Sequence, residues 1–505
     1  MSNRTSRVTS GTITGLLQTL INSLFQIIIS PSILKYAGQE TLGAYSVILQ
    51  IVGYTLIFDF GFSVAFTRYL AKSTINGIPK LEFFEVLSVG RFIQMILAII
   101  VFVFLLFISW KIELILPSST KMLSNIKFAV KIMAFWAILK SPYIIYGQAI
   151  NATQNMALVN KISIVSNLLK LLLAFIFTYS GYAILGLIIA FILSEAFLFI
   201  MQYLFFKKNN YNFILKFKKI NLKLAKEILK FGFSYWGVYL SVVFLLGSDL
   251  LIAGSIAGAA LVSVYYSTKL IGSLAVTFLT RIIDNITPGL SELVGNKDMI
   301  TVKRTYLKSI RYVLLLLIPA CLIILFFTKT LVTIWVGKAQ YAGNFMSFLI
   351  ALFVFIQVFA HLHGLVSLAL GEVKQWSVIS IFCGVSNLLL CFFFGKYMGI
   401  TWIPLGLILS MLPLLIFLFR KVQFILQIHY SELFIEIKPL SIVFILITIF
   451  TILTYFIIIK LTMVLFIILS FLIYGIISTL IIYKYGINNE EKILSLNLLK
   501  NLIKL

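Results

Sequence analysis

Runs of Leu, Ile, Phe and Val, most of them twenty or more residues long and separated by short polar segments, organise this chain from residue 11 onward. The runs lack the period-two alternation of half-buried strands and the broad polar face of a soluble amphipathic helix. Their length suits helices that cross a hydrocarbon layer, which takes about 20 apolar residues. Fourteen spans are predicted, at roughly 11–34, 42–65, 86–109, 125–150, 158–179, 182–205, 229–254, 259–284, 311–335, 343–368, 374–394, 400–420, 440–460 and 462–483. The pattern therefore predicts an all-α polytopic membrane protein. Barrel strands would be shorter and would alternate.

Composition excludes other classes. Of 505 residues, 61% are hydrophobic and 11% charged, whereas soluble domains carry about 25% charge to meet water. A soluble enzyme, a secreted disulfide scaffold and a disordered chain are all ruled out. The net charge of +25 would point to nucleic acid in a soluble protein. Here the cations sort by side. With a cytoplasmic N-terminus, 29 of the 41 Lys and Arg fall in cytoplasmic tails, loops and the span ends adjoining them, seven on the opposite side counted the same way, and the other five within spans. That asymmetry predicts both termini inside, and the expected location is a bacterial inner membrane. The apolar run behind Arg4 and Arg7 reads as the first span rather than as a cleavable signal peptide. Loops of at most about thirty residues leave no room for an extramembrane catalytic domain. The tail, 485–505, mixes Lys492, Lys500 and Lys504 with Ile and Leu, as in a short amphipathic surface helix; a frayed terminus is the alternative. Cys321, Cys383 and Cys391 lie in apolar runs and read as core hydrophobes. No P-loop, dinucleotide fingerprint or zinc motif occurs, so neither cofactor nor metal is expected.

A shift of 220 residues aligns the chain with itself. Val165-Ser166-Asn167-Leu168-Leu169 recurs at 385–389, Leu185-Gly186-Leu187-Ile188 at 405–408, and Ala37-Gly38 with Tyr45 as Ala257-Gly258 with Tyr265. The shift lays spans one to six on spans seven to twelve. Six is even, so both units enter from the same side, as a parallel repeat about an axis along the membrane normal. The predicted organisation is an N-lobe at 1–206, a basic linker at 207–228, a C-lobe at 229–421, two further helices at 422–484 and the tail at 485–505. Two like six-helix bundles around a central pathway are an alternating-access architecture; a duplicated bundle with no transport role is the alternative.

Leu42-Gly43-Ala44-Tyr45-Ser46, Phe58-Asp59-Phe60-Gly61-Phe62, Arg68 and Ala71 in the first half, with Asp249, Gly258, Tyr265 and Pro288-Gly289-Leu290-Ser291 in the second, give the chain a family likeness. It resembles the polysaccharide flippases of the multidrug/oligosaccharidyl-lipid/polysaccharide exporter superfamily, the Wzx-type O-antigen and repeat-unit transporters. The resemblance covers all fourteen spans in number, spacing and six-plus-six-plus-two layout. It implies transport of an undecaprenyl-diphosphate-linked oligosaccharide from the cytoplasmic to the outer leaflet through a hydrophilic, cationic cavity. It also implies coupling to an H⁺ or Na⁺ gradient rather than to ATP. Membrane lipids, and the polymerase and glycosyltransferases of the same pathway, are the implied partners. A drug or cation antiporter and a lipid II flippase of the same superfamily are the alternatives. A membrane glycosyltransferase or polymerase is disfavoured by outer loops whose only acids are Glu40 and Glu113.

Polar residues in the spans nominate a site. Gln18, Asn22 and Gln26, at i, i+4 and i+8, share one helical face. Gln50, Tyr54, Tyr235, Trp236, Ser241, Tyr265, Tyr266, Ser273 and Thr277 lie on the other spans that the resemblance places around the cavity. Interhelical packing is the plainer role for such residues. Lys140, Lys170, Lys269 and Glu195 fall near mid-span, where charge is costly and marks function. The lysines are expected to meet a diphosphate as point charges; the alternative is a Lys–Glu195 pair that only ties helices together. Glu195, Asp59 and Asp249 are the ion-coupling candidates, with Asp59 alternatively a helix cap or a partner of Arg68. His361 and His363, two apart, do not form a metal pair and are expected to bond locally.

Overall fold

The computed structural model describes residues 3–75, 78–208, 221–458, 464–487 and 491–492. They are almost entirely helical. The helices in chain order are α1 Asn3–Tyr36, α2 Gln39–Tyr54, α3 Phe62–Lys72, α4 Leu81–Ile115, α5 Thr120–Ala152, α6 Met156–Tyr179 and α7 Ala183–Lys208. They continue with α8 Leu222–Gly247, α9 Asp249–Asp284, α10 Thr287–Gly295, α11 Met299–Val336, α12 Asn344–Ala369 and α13 Val373–Met398, then α14 Ile403–Ile425, α15 Tyr430–Ile437, α16 Leu440–Ile458 and α17 Val464–Ile481. A two-residue hairpin, Thr74–Ile75 against Ile78–Pro79, precedes α4.

Among the described residues, thirteen stretches are long and apolar enough to cross a membrane. One of them, Val243–Gly295, has 53 residues, far beyond a single crossing. It is interrupted at Gly258, whose φ of 74° breaks the helix within α9. That break falls where the sequence reading separates spans seven and eight. The second predicted span is also divided: α2 runs into a 3-10 turn, Thr55–Asp59, and Phe60 (φ 48°) and Gly61 (φ 71°) turn the chain before α3. Several helices outrun their predicted bounds. The 35 residues of α4 extend roughly 50 Å at 1.5 Å per residue, so its ends project past the hydrocarbon. Helix α8 begins inside the stretch read as linker; residues 209–220 and most of the tail lie outside the described residues.

Lipid-facing surface shows in α4, where Ile96, Ile99, Val103, Phe107 and Trp110 form an exposed stripe at helical spacing. In a soluble protein such a stripe would be an aggregation site; in a bilayer it is the solvent contact.

The chain divides into two compact units, Met1–Tyr266 with Ser377–Ser410, and Ser267–Trp376 with Met411–Leu505. These follow packing, whereas the predicted lobes follow the repeat. In the first unit, α4 packs along α5, α1 along α6, and α7 along both α5 and α6. Phe62, Phe66, Phe83 and Leu87 are fully buried there. In the second unit, α11 packs on α12 and α16, and α16 on α17, with Phe327 and Ile458 at the centre of an apolar cluster.

Two glycines permit backbone contact within the first unit. A Cβ at Gly43 would stand 1.7 Å from the Ala259 carbonyl oxygen and 3.2 Å from the Ser263 nitrogen. One at Gly61 would stand 2.2 Å from the Gly232 carbonyl oxygen. Thus α2 meets α9 at one end, and the turn after it meets α8 at the other.

Candidate cargo and ion-coupling site

Three helices of the first unit bring charge together inside the membrane. Lys140 on α5 and Glu195 on α7 form an ion pair at 3.0 Å, both side chains largely buried. Trp136, one turn before Lys140, donates its indole N–H to the same Glu195 oxygen at 2.7 Å. Lys170 on α6 sits 4.1 Å from the centre of the Phe25 ring of α1 and within electrostatic reach of Glu195. No carboxylate stands within ion-pair distance of Lys170 among the described residues. A ring face attracts an ammonium without neutralising it, so the cluster holds two cations against one anion. The pair between Lys140 and Glu195 is the helix-tying contact weighed from the sequence. Trp136 is a site residue that sequence reasoning missed, although its i, i+4 relation to Lys140 was visible.

Helix α1 borders this cluster. Its buried stripe is Phe25, Ile29 and Ile33. Near its start Asn160 of α6 donates to the Gly11 carbonyl and to Thr14 Oγ1, at 3.0 and 3.1 Å. Asn22 is exposed, and Gln18 and Gln26 are half-buried. None of these three side chains takes part in a hydrogen bond among the described residues. Gln50 is half-buried on α2 and packs against Gly247.

A second polar cluster of this unit surrounds Asp249, which is fully buried at the start of α9. Tyr265 donates to Asp249 Oδ2 at 2.8 Å, and Tyr54 donates to Ser248 Oγ at 3.1 Å. Cys391 lies near both tyrosines. Its thiol donates to Asn387 Oδ1 at 3.2 Å, while Asn387 Nδ2 donates to the Leu245 carbonyl at 3.1 Å. Tyr265, a cavity candidate from the sequence, has its ring fully buried and its hydroxyl engaged by Asp249. Cys391, read as a core hydrophobe, is buried but hydrogen-bonded. Asn387 appeared in the sequence only as a repeat marker. Its contact with Leu245 spans more than a hundred residues and has no local signal.

Asp59 takes the capping geometry. Ser63 N–H and Oγ donate to its two oxygens at 3.0 and 2.8 Å, and Gln148 extends the chain to Ser63 Oγ at 3.0 Å. Arg68 instead lies 4.2 Å from the Phe231 ring centre. The Trp236 indole donates to the Ile57 carbonyl at 2.7 Å, and Tyr266 is half-buried on α9. The side chains of Tyr235 and Ser241 lie outside the described residues. Lys269, half-buried on α9, belongs to the second unit with Ser273 and Thr277. In that unit His361 meets Asp284 of α9 at 2.8 Å, a long-range partner where a local one was expected.

With the geometry in place, known proteins give it a context. Residues 8–294 match the family described as polysaccharide biosynthesis protein, more than half of the chain. The chain belongs to that family. The chain is 27% identical over 300 residues to a Buchnera aphidicola (subsp. Baizongia pistaciae) protein named probable lipid II flippase MurJ, covering 55% of this chain and 57% of that one. It thus spans little more than half of that relative. Among solved structures, an inward-facing multidrug resistance MATE transporter of the MOP superfamily aligns with a TM-score of 0.65 at 15% identity, over 82% of this chain and 98% of that one. A MOP superfamily transporter from Pyrococcus furiosus, described as having a binding pocket of reversed polarity, gives 0.61 at 15% identity over 83% and 95%. At such identities the likeness is one of fold: this is a multi-pass membrane protein with the MOP transporter fold.

Proposed function

We propose that the protein is a flippase. It moves a polyprenyl-diphosphate-linked oligosaccharide repeat unit from the cytoplasmic to the outer leaflet by alternating access, driven by an H⁺ or Na⁺ gradient. The observation that carries the reading is Lys170: a membrane-embedded cation held against a ring face, beside a Lys140–Glu195 pair that leaves the cluster net positive. A diphosphate entering low dielectric needs such a charge. The open amides of Gln18, Asn22 and Gln26 on the neighbouring helix supply hydrogen bonds in place of water for a sugar. Family membership supports the polysaccharide pathway, and it supports a transporter rather than an enzyme. Lys269 is kept as a further cation on the cargo path.

The parallel repeat is part of the proposal. Gly38 and Gly258, 220 residues apart, hold nearly the same backbone conformation, φ 85°, ψ 168° and φ 74°, ψ 173°. Gly43 touches Ser263, its own counterpart at that offset. Contact between equivalent positions is what an axis of pseudo-symmetry requires. Asp249, fully buried and hydrogen-bonded by the Tyr265 hydroxyl, is the first choice for ion coupling. Glu195 is the second, and Asp59 ranks lower because its oxygens already cap α3.

Lipid II is the second reading for the cargo, favoured by the Buchnera relative's name; the net positive cluster argues against cationic drugs. The test is leaflet-resolved analysis of lipid-linked glycans in cells producing Lys170→Gln or Lys140→Gln protein. Export should fall while the amount of membrane protein holds. Wild-type export in both variants removes the cationic-cluster mechanism. Accumulation of lipid II in place of repeat units transfers the function to the second reading. For coupling, Asp249→Asn should abolish the dependence of export on an imposed ion gradient.

A further inference from the structure

The short helix α15 is not a span, yet it joins two of them. Four residues separate it from α14 and two from α16, so at no more than about 3.6 Å per residue it cannot leave the membrane surface. Its acidic face is occupied. Glu432 pairs with Lys303 at 2.8 Å and Glu436 with Arg311 at 3.0 Å, both cations coming from α11. Leu433 is buried between them, and Lys303 Nζ also donates to the Gln427 carbonyl at 2.9 Å. Arg311 is itself buried and holds Glu491 of the tail as well.

With that face fixed inward, the opposite face is almost wholly apolar and open. Tyr430 is 71%, Phe434 66% and Ile435 69% exposed, and Phe424 at the end of α14 is 81% exposed. Arg420 and Lys438, both exposed, flank the patch. An aromatic and aliphatic surface with cations at its rim suits the boundary between acyl chains and anionic headgroups. It is not a face that water solvates cheaply. We propose that α15 is an interfacial foot: the bilayer surface covers Tyr430, Phe434 and Ile435, while ion pairs to α11 set the helix's rotation. The consequence is that α16 and α17, which lie outside the repeat, are tethered to α11 of the second unit through a lipid-seated element.

The experiment places a nitroxide at Tyr430→Cys, Phe434→Cys and Ile435→Cys in proteoliposomes of the full chain. Cys321, the native thiol that is not buried, is replaced by Ala. Collision with oxygen should exceed collision with a water-soluble nickel chelate at all three positions. The order should reverse at Asn296→Cys, in the exposed turn before α11. A nickel excess at 434 and 435 puts the face in water and overturns the proposal. Low collision with both reagents means that protein covers it, a second copy or another chain, and overturns it equally. Should the cysteine variants fail to fold, Phe434→Trp read against the parent's tryptophans gives the same decision: quenching by brominated lipid supports the foot, and none refutes it. Glu432→Gln with Glu436→Gln should raise label mobility at 434; unchanged mobility would show that the ion pairs do not set its position.

Discussion

Glycine 43 shows how one residue type can hold a membrane fold together. It allows α2 to lie backbone to backbone against α9, a contact in which any Cβ collides with a carbonyl oxygen. Gly61 combines the same kind of contact, on Gly232, with a left-handed φ. Gly295 has an ordinary φ, and a Cβ added there would meet nothing within 4 Å. Gly43→Ala and Gly61→Ala should therefore each destabilise the protein by about 2 kcal/mol or more, whereas Gly295→Ala should be near neutral. Thermal midpoints of the detergent-solubilised variants check the ranking. Both sensitive glycines stand in motifs that the sequence singled out, but nothing local shows which backbone would approach them. At the charged cluster the sequence nominated Lys140, Lys170 and Glu195. It did not choose between the two lysines as Glu195's partner, because helix rotation and neighbour identity are set by packing.

Helix ends and short surface elements carry the pH sensitivity. Hydrogen bonding from Lys303, and then from the His429 backbone, holds the Glu432 carboxyl below its ordinary range. Thr301 does the same for Asp298, which caps α11. A depressed carboxyl stabilises the folded arrangement fully above the ordinary carboxylate range and loses that contribution as pH falls through its lowered value. The mobility of a label on α15 should therefore rise on acidification below the usual glutamate range, and Glu432→Gln should flatten that response. A rise of equal size in the Gln variant would place the sensitivity elsewhere. The existence of most long helices was legible from apolar run length alone. Helix α15, with only eight residues, was not, since its partners on α11 lie over a hundred residues away.

At the scale of the molecule, charge distribution decides how the chain enters the bilayer. The 29-to-7 division of cations between the two sets of loops predicts that thiols placed at Lys297 and Lys438 react from the cytoplasmic side and those at Lys338 and Lys396 from outside. Impermeant maleimide applied to intact cells and to inverted vesicles measures this, and the opposite pattern would reverse the transport direction proposed above. The family match agrees with the resemblance to polysaccharide flippases, and the fold is that of MOP transporters. The two compact units are each assembled from stretches distant in sequence, because helices pack by surface fit and not by order along the chain.

Hydrophobic run length and the exclusion of charge from those runs determined, from sequence alone, that the chain is a helical membrane protein. A bilayer leaves an unpaired backbone few other choices. The 220-residue recurrence and the mid-span ionisable residues were equally visible, since both are local patterns. Tertiary structure decided which charges meet: Lys140 with Glu195, Lys170 with a ring face, Asp249 with Tyr265, and α15 with α11. Those choices depend on the rotation and depth of each helix. They are fixed by close packing among many side chains, to which no single stretch of sequence has access.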